Sequence, residues 1–274
     1  MPELPEVETI VRDLRPHLIG QTVTSVQVDW PRAIAAPEGD IARFVGGMIG
    51  RRWERVWRRG KFILVDLDND THLIVHLRMS GRLVLKPLGE VKHLRAEFHF
   101  DDGLALYFYD PRRFGRLWLV QDVSRVVGDL GPEPLSEAFT AAALASMVRG
   151  RRGLLKPLLL DQRFIAGLGN IYVDESLFRA GLHPQRRADT LVEADWVRLH
   201  SAIRAVLKQA LEHHGTSFDA VFVRPEGESG RQQEGLRMYG QAGLPCAQCG
   251  TQIVRIVVGG RGTHLCPHCQ SEHR

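Results

Sequence analysis

Cysteine is absent from the first 245 of the 274 residues, and all four cysteines lie between positions 246 and 269. This distribution excludes a disulfide framework scattered through a secreted domain. The chain also lacks an apolar run approaching the roughly 18 residues of a membrane span, a visible signal peptide and internal repeats. We therefore expect a globular protein of the cytoplasm that has no membrane partner.

Charge of one sign is only slightly in excess, with a net charge of +4 and an isoelectric point near 9.0. The distribution is more informative than the total. The stretch 50–62 holds six Lys and Arg against one Glu, with Trp53 and Trp57 interleaved. A second basic run follows at 149–156. Such clusters suit phosphate contact and base stacking, but two solvated surfaces would give the same pattern.

Periodicity divides the chain into regions of different secondary structure. Apolar residues at helical spacing predict a helix over 5–19, with Pro16 as an alternative, earlier end. Seven short alternating segments from about 21 to 120, separated by turn signals, predict an antiparallel sandwich or barrel. Helical periodicity dominates after the Pro- and Gly-marked junction 131–135. The polar stretch 216–235 is typical of a mobile loop that is functional or disordered.

These regions predict an α+β chain of three domains. Residues 1–130 form an N-terminal helix and an antiparallel β-sandwich, and residues 131–235 form a helical domain that ends in the polar loop. Residues 236–274 form a four-cysteine module.

The cysteines occur as CAQC and CPHC, sixteen residues apart, which is the spacing of a zinc ribbon. Cys246, Cys249, Cys266 and Cys269 would complete a tetrahedral site, leaving no open position for water. The sequence therefore predicts one structural Zn²⁺. Between the pairs, two β-like segments predict a hairpin with GGRG at its tip. Arg261 in that tip would either enter a nucleic-acid groove or remain a solvated turn residue.

The first ten residues, MPELPEVETI, place Pro2 directly behind Met1. A small second residue normally lets the initiator methionine be removed. The mature chain would then begin with a secondary amine beside the carboxylate of Glu3. A proline that merely starts a helix and a proline whose amine is the reactive group both fit these residues.

GLGNIY (167–172) has the glycine pattern of a tight turn between two helices. Glycine allows close backbone approach, and the N-terminus of the next helix offers free N–H groups to a phosphate. The alternative is a packing turn without a ligand.

Six motifs occur in one order: MPELPEVET, HLRMSG (76–81), DPRRFG (110–115), LGPEPL, GLGNIY and the cysteine ribbon with its tip arginine. Together they resemble the bacterial formamidopyrimidine-DNA glycosylase family, bifunctional enzymes that remove 8-oxoguanine and formamidopyrimidines from DNA. The resemblance spans residues 2 to 269. It implies a helix-two-turn-helix motif in the second domain and a lesion-capping role for the polar loop. It further implies double-stranded DNA with oxidised bases or abasic sites as partner, and a monomer that acts at the bacterial nucleoid.

The resemblance also assigns catalytic roles. Pro2 corresponds to the nucleophile that forms a Schiff base with the sugar C1′. A secondary amine leaves no N–H after condensation, so the iminium stays cationic and acidifies the C2′ proton for β,δ-elimination. Glu3 corresponds to the general acid that protonates the ring oxygen. Lys61 corresponds to a lysine near the reacting nucleotide, or is an ordinary basic strand residue. Arg261 corresponds to a hairpin arginine linked to δ-elimination.

DNA-binding roles follow from the same resemblance. Met79, Arg112 and Phe114 correspond to a trio that fills the gap left by the flipped nucleotide, although on pattern alone Met79 and Phe114 would more often be core residues. Glu6 lines the damaged-base pocket or is only a first-turn acid that favours the helix dipole. Contacts to phosphate are implied for Asn170, Lys156, His93 and Arg151.

Two other functions remain open at this point. One is an endonuclease VIII-like glycosylase/lyase for oxidised pyrimidines, against which the PELPE start and the long polar loop argue. The other is a non-catalytic zinc-ribbon DNA-binding protein, for which Pro2 would be dispensable.

Overall fold

Two compact units make up the computed structural model, which describes residues 1–89, 91–218 and 222–272. The first unit combines Met1–Asp129 with His213–Gln233, and the second combines Leu130–Glu212 with Glu234–Arg274. The division follows spatial contact, so the boundaries of the three domains stay a prediction. The α+β class is confirmed.

Helix α1 (Leu4–Leu18) opens the first unit. Pro5 lies in the first turn, where its missing N–H would have no intrahelical partner. The apolar positions that predicted the helix are buried. Pro16 lies within the last turn and does not end the helix, which ends at Leu18; the C-cap Ile19 and the left-handed Gly20 follow.

Among the described residues of the first unit, nine strands form two sheets. They are β1 (Val23–Val28), β2 (Ile34–Ala36), β3 (Trp53–Arg59), β4 (Phe62–Leu67), β5 (His72–His76), β6 (Arg82–Val84), β7 (Leu94–Phe100), β8 (Ala105–Tyr109) and β9 (Arg116–Val120). One sheet has the order β1-β7-β8-β6 and the other β2-β9-β5-β4-β3. The pairing is antiparallel except between β2 and β9. Apolar residues of both sheets and α1 share one core, so the predicted seven segments belong to a sandwich.

The sequence did not reveal β2, β3, α2 (Ile41–Met48) or α3 (Ser124–Val127). Strand β3 is the basic stretch that suggested base stacking. The structure corrects that expectation for Trp53, which is buried in the core edge-on to Phe98 and Phe100. Trp57 is half-buried and donates its Nε1–H to Asp66 at 2.9 Å. The many basic residues in and around this stretch concealed a strand that buries one face.

The second unit is helical and ends in a hairpin. Its helices are α4 (Ala141–Val148), α5 (Leu155–Leu160), α6 (Asn170–Ala180) and α7 (Glu193–Glu212), and its strands are β10 (Val254–Val258) and β11 (Arg261–Leu265). Helix α7 packs against α4 and α6. Gly181, at φ 66°, ends α6 in the left-handed conformation that glycine adopts without strain. Among the described residues, no helix is long and apolar enough to cross a membrane.

Candidate functional site

The N-terminus of the first unit is a buried polar site. Pro2 is buried, and Glu3 and Glu6 are only 3% and 2% exposed. The Glu6 carboxylate accepts the Glu3 backbone N–H at 2.7 Å, the capping-box contact expected of a glutamate in the third helical position. Burying a charged carboxylate costs free energy unless it has hydrogen-bond or charge partners. Two buried carboxylates at one helix start therefore indicate a functional site, because a carboxylate that only aids solubility would face water.

Lys61 lies in the same surroundings. It occupies the turn between β3 and β4, where Arg59 pairs with Phe62 and Gly60 at φ 55° takes the first central position. Glycine suits that position in the hairpin turn that matches strand twist. Although turn residues are usually solvated, Lys61 is only 5% exposed. It is therefore not an ordinary basic strand residue.

The terminal amine is electrostatically coupled to these groups. Burial lowers the pKa of the Met1 amine, the carboxylates of Glu3 and Glu6 oppose that shift, and the cations Lys61 and Arg112 add to it. The balance favours the neutral, nucleophilic form of an amine at this end of the chain. The structure thus brings together three residues predicted for catalysis, Pro2, Glu3 and Lys61.

Glu6 joins this site to the start of the polar loop. Its Oε1 accepts the Thr216 N–H at 2.7 Å while its Oε2 holds Glu3. Gly215 has φ 80°, and a Cβ there would lie 2.9 Å from the Glu6 side chain. Only glycine lets the loop approach the carboxylate so closely. Glu6 is both a helix cap and the anchor of the loop, and its predicted place in a damaged-base pocket stays a prediction.

The described parts of the predicted loop 216–235 contain no helix or strand except a 3-10 turn at Gln232–Gly235. They are nevertheless tied to the first unit. Arg224 forms two bonds of 2.8 and 2.9 Å to the Asp13 carboxylate, and the Pro225 carbonyl accepts the Leu85 N–H. Residues 219–221 of the loop lie outside the described residues. Mobility and lesion capping stay predictions.

Two adjacent turns present the predicted intercalating trio. Met79 follows β5, and Arg112 and Phe114 lie between β8 and β9. Met79 is 44% exposed and Phe114 is 48% exposed, so neither is a core residue. The Arg112 side chain is also exposed. Large exposed apolar side chains beside a cation are suited to insertion between bases.

Asp110, which sequence reasoning did not single out, holds the two turns together. Its buried carboxylate accepts the Ser80 hydroxyl from the HLRMSG turn, the Arg112 N–H at 3.2 Å and the Gly115 N–H at 2.7 Å. The contact from an aspartate to the backbone two residues later is an Asx-turn signal that DPRRFG contained. The link to Ser80, thirty residues away, carried no local signal.

Both turns need their glycines for space. A Cβ on Gly81 would lie 2.5 Å from the Leu77 carbonyl oxygen, and a Cβ on Gly115 would lie 2.4 Å from the Phe108 ring. His93 is half-buried beside the same turns, and its carbonyl accepts the Asp110 N–H at 2.8 Å. Its predicted phosphate contact stays a prediction.

In the second unit, Lys156 corrects the sequence analysis. Its side chain is 0% exposed, and its Nζ lies 2.6 Å from Asp174 Oδ1 and donates to the Gly262 carbonyl at 3.1 Å. A buried, paired ammonium has no surface for the predicted phosphate contact. Because Asp174 Oδ2 also accepts the His264 N–H at 2.9 Å, the pair fixes β11 of the hairpin to α6. Lys156 is a positioning residue in this structure.

Asn170 supports the same strand from the first position of α6. Its Nδ2 donates to the Gly262 carbonyl at 2.9 Å, and its side chain is half-buried. Glu175, another residue that the sequence did not reveal, accepts the backbone N–H groups of 237, 238 and 239 at 2.8 to 3.1 Å. Burial raises the pKa of Glu175 against the opposing effect of those bonds. Helix α6 therefore contacts both the segment 237–239, which precedes the first cysteine pair, and strand β11, which lies between the two pairs.

The two remaining predicted DNA contacts in this unit are exposed. Arg261 begins β11 directly after the turn residues Gly259 and Gly260, which have φ values of 57° and 74°. Two positive φ values at the centre of a two-residue turn explain the glycine pair. Arg151 is exposed, with its guanidinium 5.3 Å from the Phe164 ring centroid. Phosphate contact by either arginine stays a prediction.

The four cysteines fit a zinc ion. Their sulfur atoms all lie within 4.8 Å of one another, and Cys249 and Cys266 are 3.4 Å apart. A tetrahedron with Zn–S bonds of about 2.3 Å has sulfurs about 3.8 Å apart. Backbone N–H groups also point at the sulfurs of Cys246 and Cys266. The site is a structural zinc site, because four thiolates complete the coordination.

Family models match three successive parts of the chain. The formamidopyrimidine-DNA glycosylase N-terminal domain matches residues 1–117, and the formamidopyrimidine-DNA glycosylase H2TH domain matches residues 130–221. The zinc finger found in FPG and IleRS matches residues 243–271.

Individual relatives extend along the whole chain. Formamidopyrimidine-DNA glycosylase of Desulforamulus reducens is 45% identical over 98% of this chain and 99% of its own. The crystal structure of MutM (FPG) from Thermus thermophilus has a TM-score of 0.90 and 45% identity, covering 99% of both chains. A Lactococcus lactis FPG mutant in complex with Fapy-dG DNA has a TM-score of 0.90, 34% identity and coverage of 98% and 100%. MutM in complex with carbocyclic 8-oxo-G containing DNA has a TM-score of 0.89 and 35% identity, covering 98% of this chain and 100% of its own.

Proposed function

Because the chain belongs to the formamidopyrimidine-DNA glycosylase family, we propose that it excises oxidised purines from double-stranded DNA and cleaves the strand at the abasic site. Solved relatives hold DNA containing Fapy-dG and carbocyclic 8-oxo-G, which supports oxidised purines as the substrate class. The proposed place of action is the bacterial cytoplasm, at the nucleoid. The main observation behind the proposal is the buried site around the terminal amine, with Glu3 and Lys61 beside it.

The proposed chemistry begins after removal of Met1. The Pro2 nitrogen attacks the sugar C1′, and the bond from C1′ to the damaged base breaks. The base leaves with the bonding electron pair and takes up the proton that the Pro2 nitrogen loses. Glu3 protonates the ring oxygen O4′ as the sugar opens, which leaves a cationic iminium between Pro2 and C1′. The surroundings suit this step, because burial lowers the pKa of an amine at this end of the chain and so increases its neutral, nucleophilic fraction.

Strand cleavage uses the same iminium as an electron sink. Loss of the C2′ proton expels the 3′ phosphate, and a second elimination expels the 5′ phosphate. We assign Lys61 to proton transfer near the reacting nucleotide and Arg261 to the second elimination. Met79, Arg112 and Phe114 would occupy the space of the flipped nucleotide, whose extrusion costs a few kcal/mol of stacking and pairing.

Borohydride trapping tests the proposal. Reduction of the iminium should link the wild-type protein covalently to an 8-oxoguanine duplex, and Pro2→Gly should form the adduct far more slowly. An uncleavable N-terminal tag should abolish trapping as well. If DNA binds and no adduct forms with any lesion, the non-catalytic alternative is correct. If thymine glycol is cleaved and 8-oxoguanine is not, the enzyme acts on oxidised pyrimidines.

The pH profile of trapping provides an independent check. The neutral amine is the nucleophile, and burial lowers the pKa of the Met1 amine from its ordinary value near 8. We expect the same burial to act on the processed Pro2 amine, so the rate should rise with pH and level off below pH 8. Single-turnover trapping rates from pH 5 to 9 measure this. Continued increase above pH 8 would show that burial does not lower the pKa of the processed terminus.

A further inference from the structure

Trp30 lies beside the DPRRFG turn although it is far from it in sequence. The chain leaves β1 with the Asp29 N–H donating to the Arg95 carbonyl at 3.1 Å, and Trp30 then begins the 3-10 turn Pro31–Ala33. Strand β2 follows and pairs in parallel with β9, with Ile34 opposite Leu117. Since β9 starts directly after the turn, this pairing brings Trp30 next to it.

Two guanidinium groups of that turn face the indole ring. The Arg113 Cζ lies 5.8 Å from the Trp30 ring centroid and the Arg116 Cζ lies 5.7 Å from it. Both distances fall within the range of a cation–π contact, for which tryptophan is the best aromatic partner. One ring therefore contacts both arginines.

The two arginines differ in what else holds them. Arg116 is half-buried, and its Nη1 donates to the carbonyls of Arg113, Phe114 and Gly115 at 3.3, 3.2 and 2.8 Å. Arg113 is exposed and has φ 61°, a left-handed conformation that is uncommon for residues other than glycine. Such a backbone persists only where surrounding contacts hold it, and Trp30 supplies one of them.

The arginines at these turns have no carboxylate in ion-pair contact within the described part of the chain. Across the described ranges 1–89, 91–218 and 222–272, no ion pair involves Arg78, Arg112, Arg113 or Arg116. Burial lowers the pKa of Arg78, and the nearby charge of Arg116 lowers it further. A cluster of guanidiniums without carboxylate partners creates a positive potential that favours a polyanion.

We propose that Trp30 is a positioning residue that orients Arg113 and Arg116 for contact with DNA phosphates next to the intercalating trio. The inference rests on the proposed function, since it takes duplex DNA as the partner. It adds a contact surface made by Trp30, Arg113 and Arg116 that the sequence analysis did not assign. Because phosphate contact carries no base information, this surface affects affinity for all duplexes alike.

Equilibrium binding to a duplex with an uncleavable tetrahydrofuran abasic analogue tests the inference without requiring chemistry. Trp30→Ala should weaken binding about fivefold, whereas Trp30→Phe, which keeps a π face, should weaken it less than twofold. Arg113→Gln should reduce the slope of log affinity against log salt by about 1. Arg43→Gln removes an exposed charge from α2 of the same unit and should leave the affinity and the slope unchanged.

Two further measurements separate positioning from general loss of structure. The Trp30→Ala and Arg113→Gln effects should be less than additive in the double variant, because both remove the same contact. The single-turnover trapping rate at saturating DNA should stay within about twofold of wild type. If Trp30→Ala lowers the melting temperature, Trp30→Leu, which is apolar without a π face, replaces it.

Unchanged affinity in Trp30→Ala, equal losses in the Ala and Phe variants, or full additivity with Arg113→Gln would each overturn the inference. Failure of the proposed function looks different. In that case the wild-type protein itself would not form a covalent adduct, whatever the affinities of the Trp30 variants.

Discussion

Single residues in this protein serve two partners at once, and Glu6 is the clearest case. One carboxylate oxygen accepts the Glu3 N–H and the other accepts the Thr216 N–H, each at 2.7 Å. The first contact caps α1, and the second fixes the start of the polar loop 210 residues later. Both donors are buried, so neither has water as a substitute partner.

We predict that Glu6→Gln is destabilising although it keeps shape and size. The amide offers one acceptor oxygen instead of two, so one backbone N–H loses its partner and faces an NH₂ group. The free energy of unfolding should fall by about 1–3 kcal/mol in urea titration, and excision of 8-oxoguanine should slow. Glu54→Gln, an exposed position on β3, is the control and should change stability by less than about 0.5 kcal/mol. Equal stability of the two variants would refute the two-acceptor interpretation.

At the scale of elements, the HLRMSG and DPRRFG turns act as one. The Asp110 carboxylate joins them through Ser80, Arg112 and Gly115, and this connection aims Met79, Arg112 and Phe114 outward together. The glycines supply the space in which the turns meet. These contacts fix the backbone of the two turns, and a backbone that is already fixed loses less conformational entropy on binding.

We predict that Gly115→Ala displaces the turn and costs about 1–3 kcal/mol of stability, because the added methyl meets Phe108 and the Asp110 carboxylate. Excision from duplex DNA should slow more than cleavage of an abasic site in single-stranded DNA, where no partner base needs a substitute. Gly46→Ala is the matched control. It lies exposed in α2 with no atom within 4 Å of the new Cβ, so it should stabilise by about 0.5–1 kcal/mol. Equal slowing on both DNA substrates would contradict a role in base flipping.

At the scale of the whole molecule, buried polar contacts and the zinc site of the second unit hold the hairpin that carries the predicted DNA contact Arg261. The Lys156–Asp174 pair and Asn170 hold β11 from one side, and the cysteine site holds the hairpin ends. Arg261 stands at the exposed start of β11, so its position depends on both supports.

We predict that Cys249→Ser removes zinc and weakens binding to the abasic-analogue duplex by roughly tenfold or more, because the hairpin that carries Arg261 loses its fixed geometry. Borohydride trapping should persist at saturating DNA, since the Pro2 amine is chemically unchanged. Metal analysis and binding isotherms measure both effects. Gln248→Ser, an exposed neighbour on the same loop, is the control. Full affinity in a zinc-free variant would show that the metal does not position the arginine.

The sequence alone determined the features that short-range pattern encodes. Strand and helix periods predicted α1, most of the sandwich and the helices of the second unit, and the cysteine spacing predicted the zinc site. The order of the motifs indicated the family and, with it, the candidate roles of Pro2 and Glu3. These features can be predicted from the sequence because residues on one face of a helix or strand share the same surroundings and recur at the period of that element.

Only the tertiary structure decided which distant side chains meet. It placed Trp53 in the core, turned Lys156 from a predicted phosphate contact into a buried support, and joined Glu6 to Thr216 and Ser80 to Asp110. The physical reason is that a basic or aromatic residue looks the same in sequence whether it faces water or a partner. The packing of distant strands and helices determines which partner such a residue contacts. That packing produces no periodic pattern in the sequence.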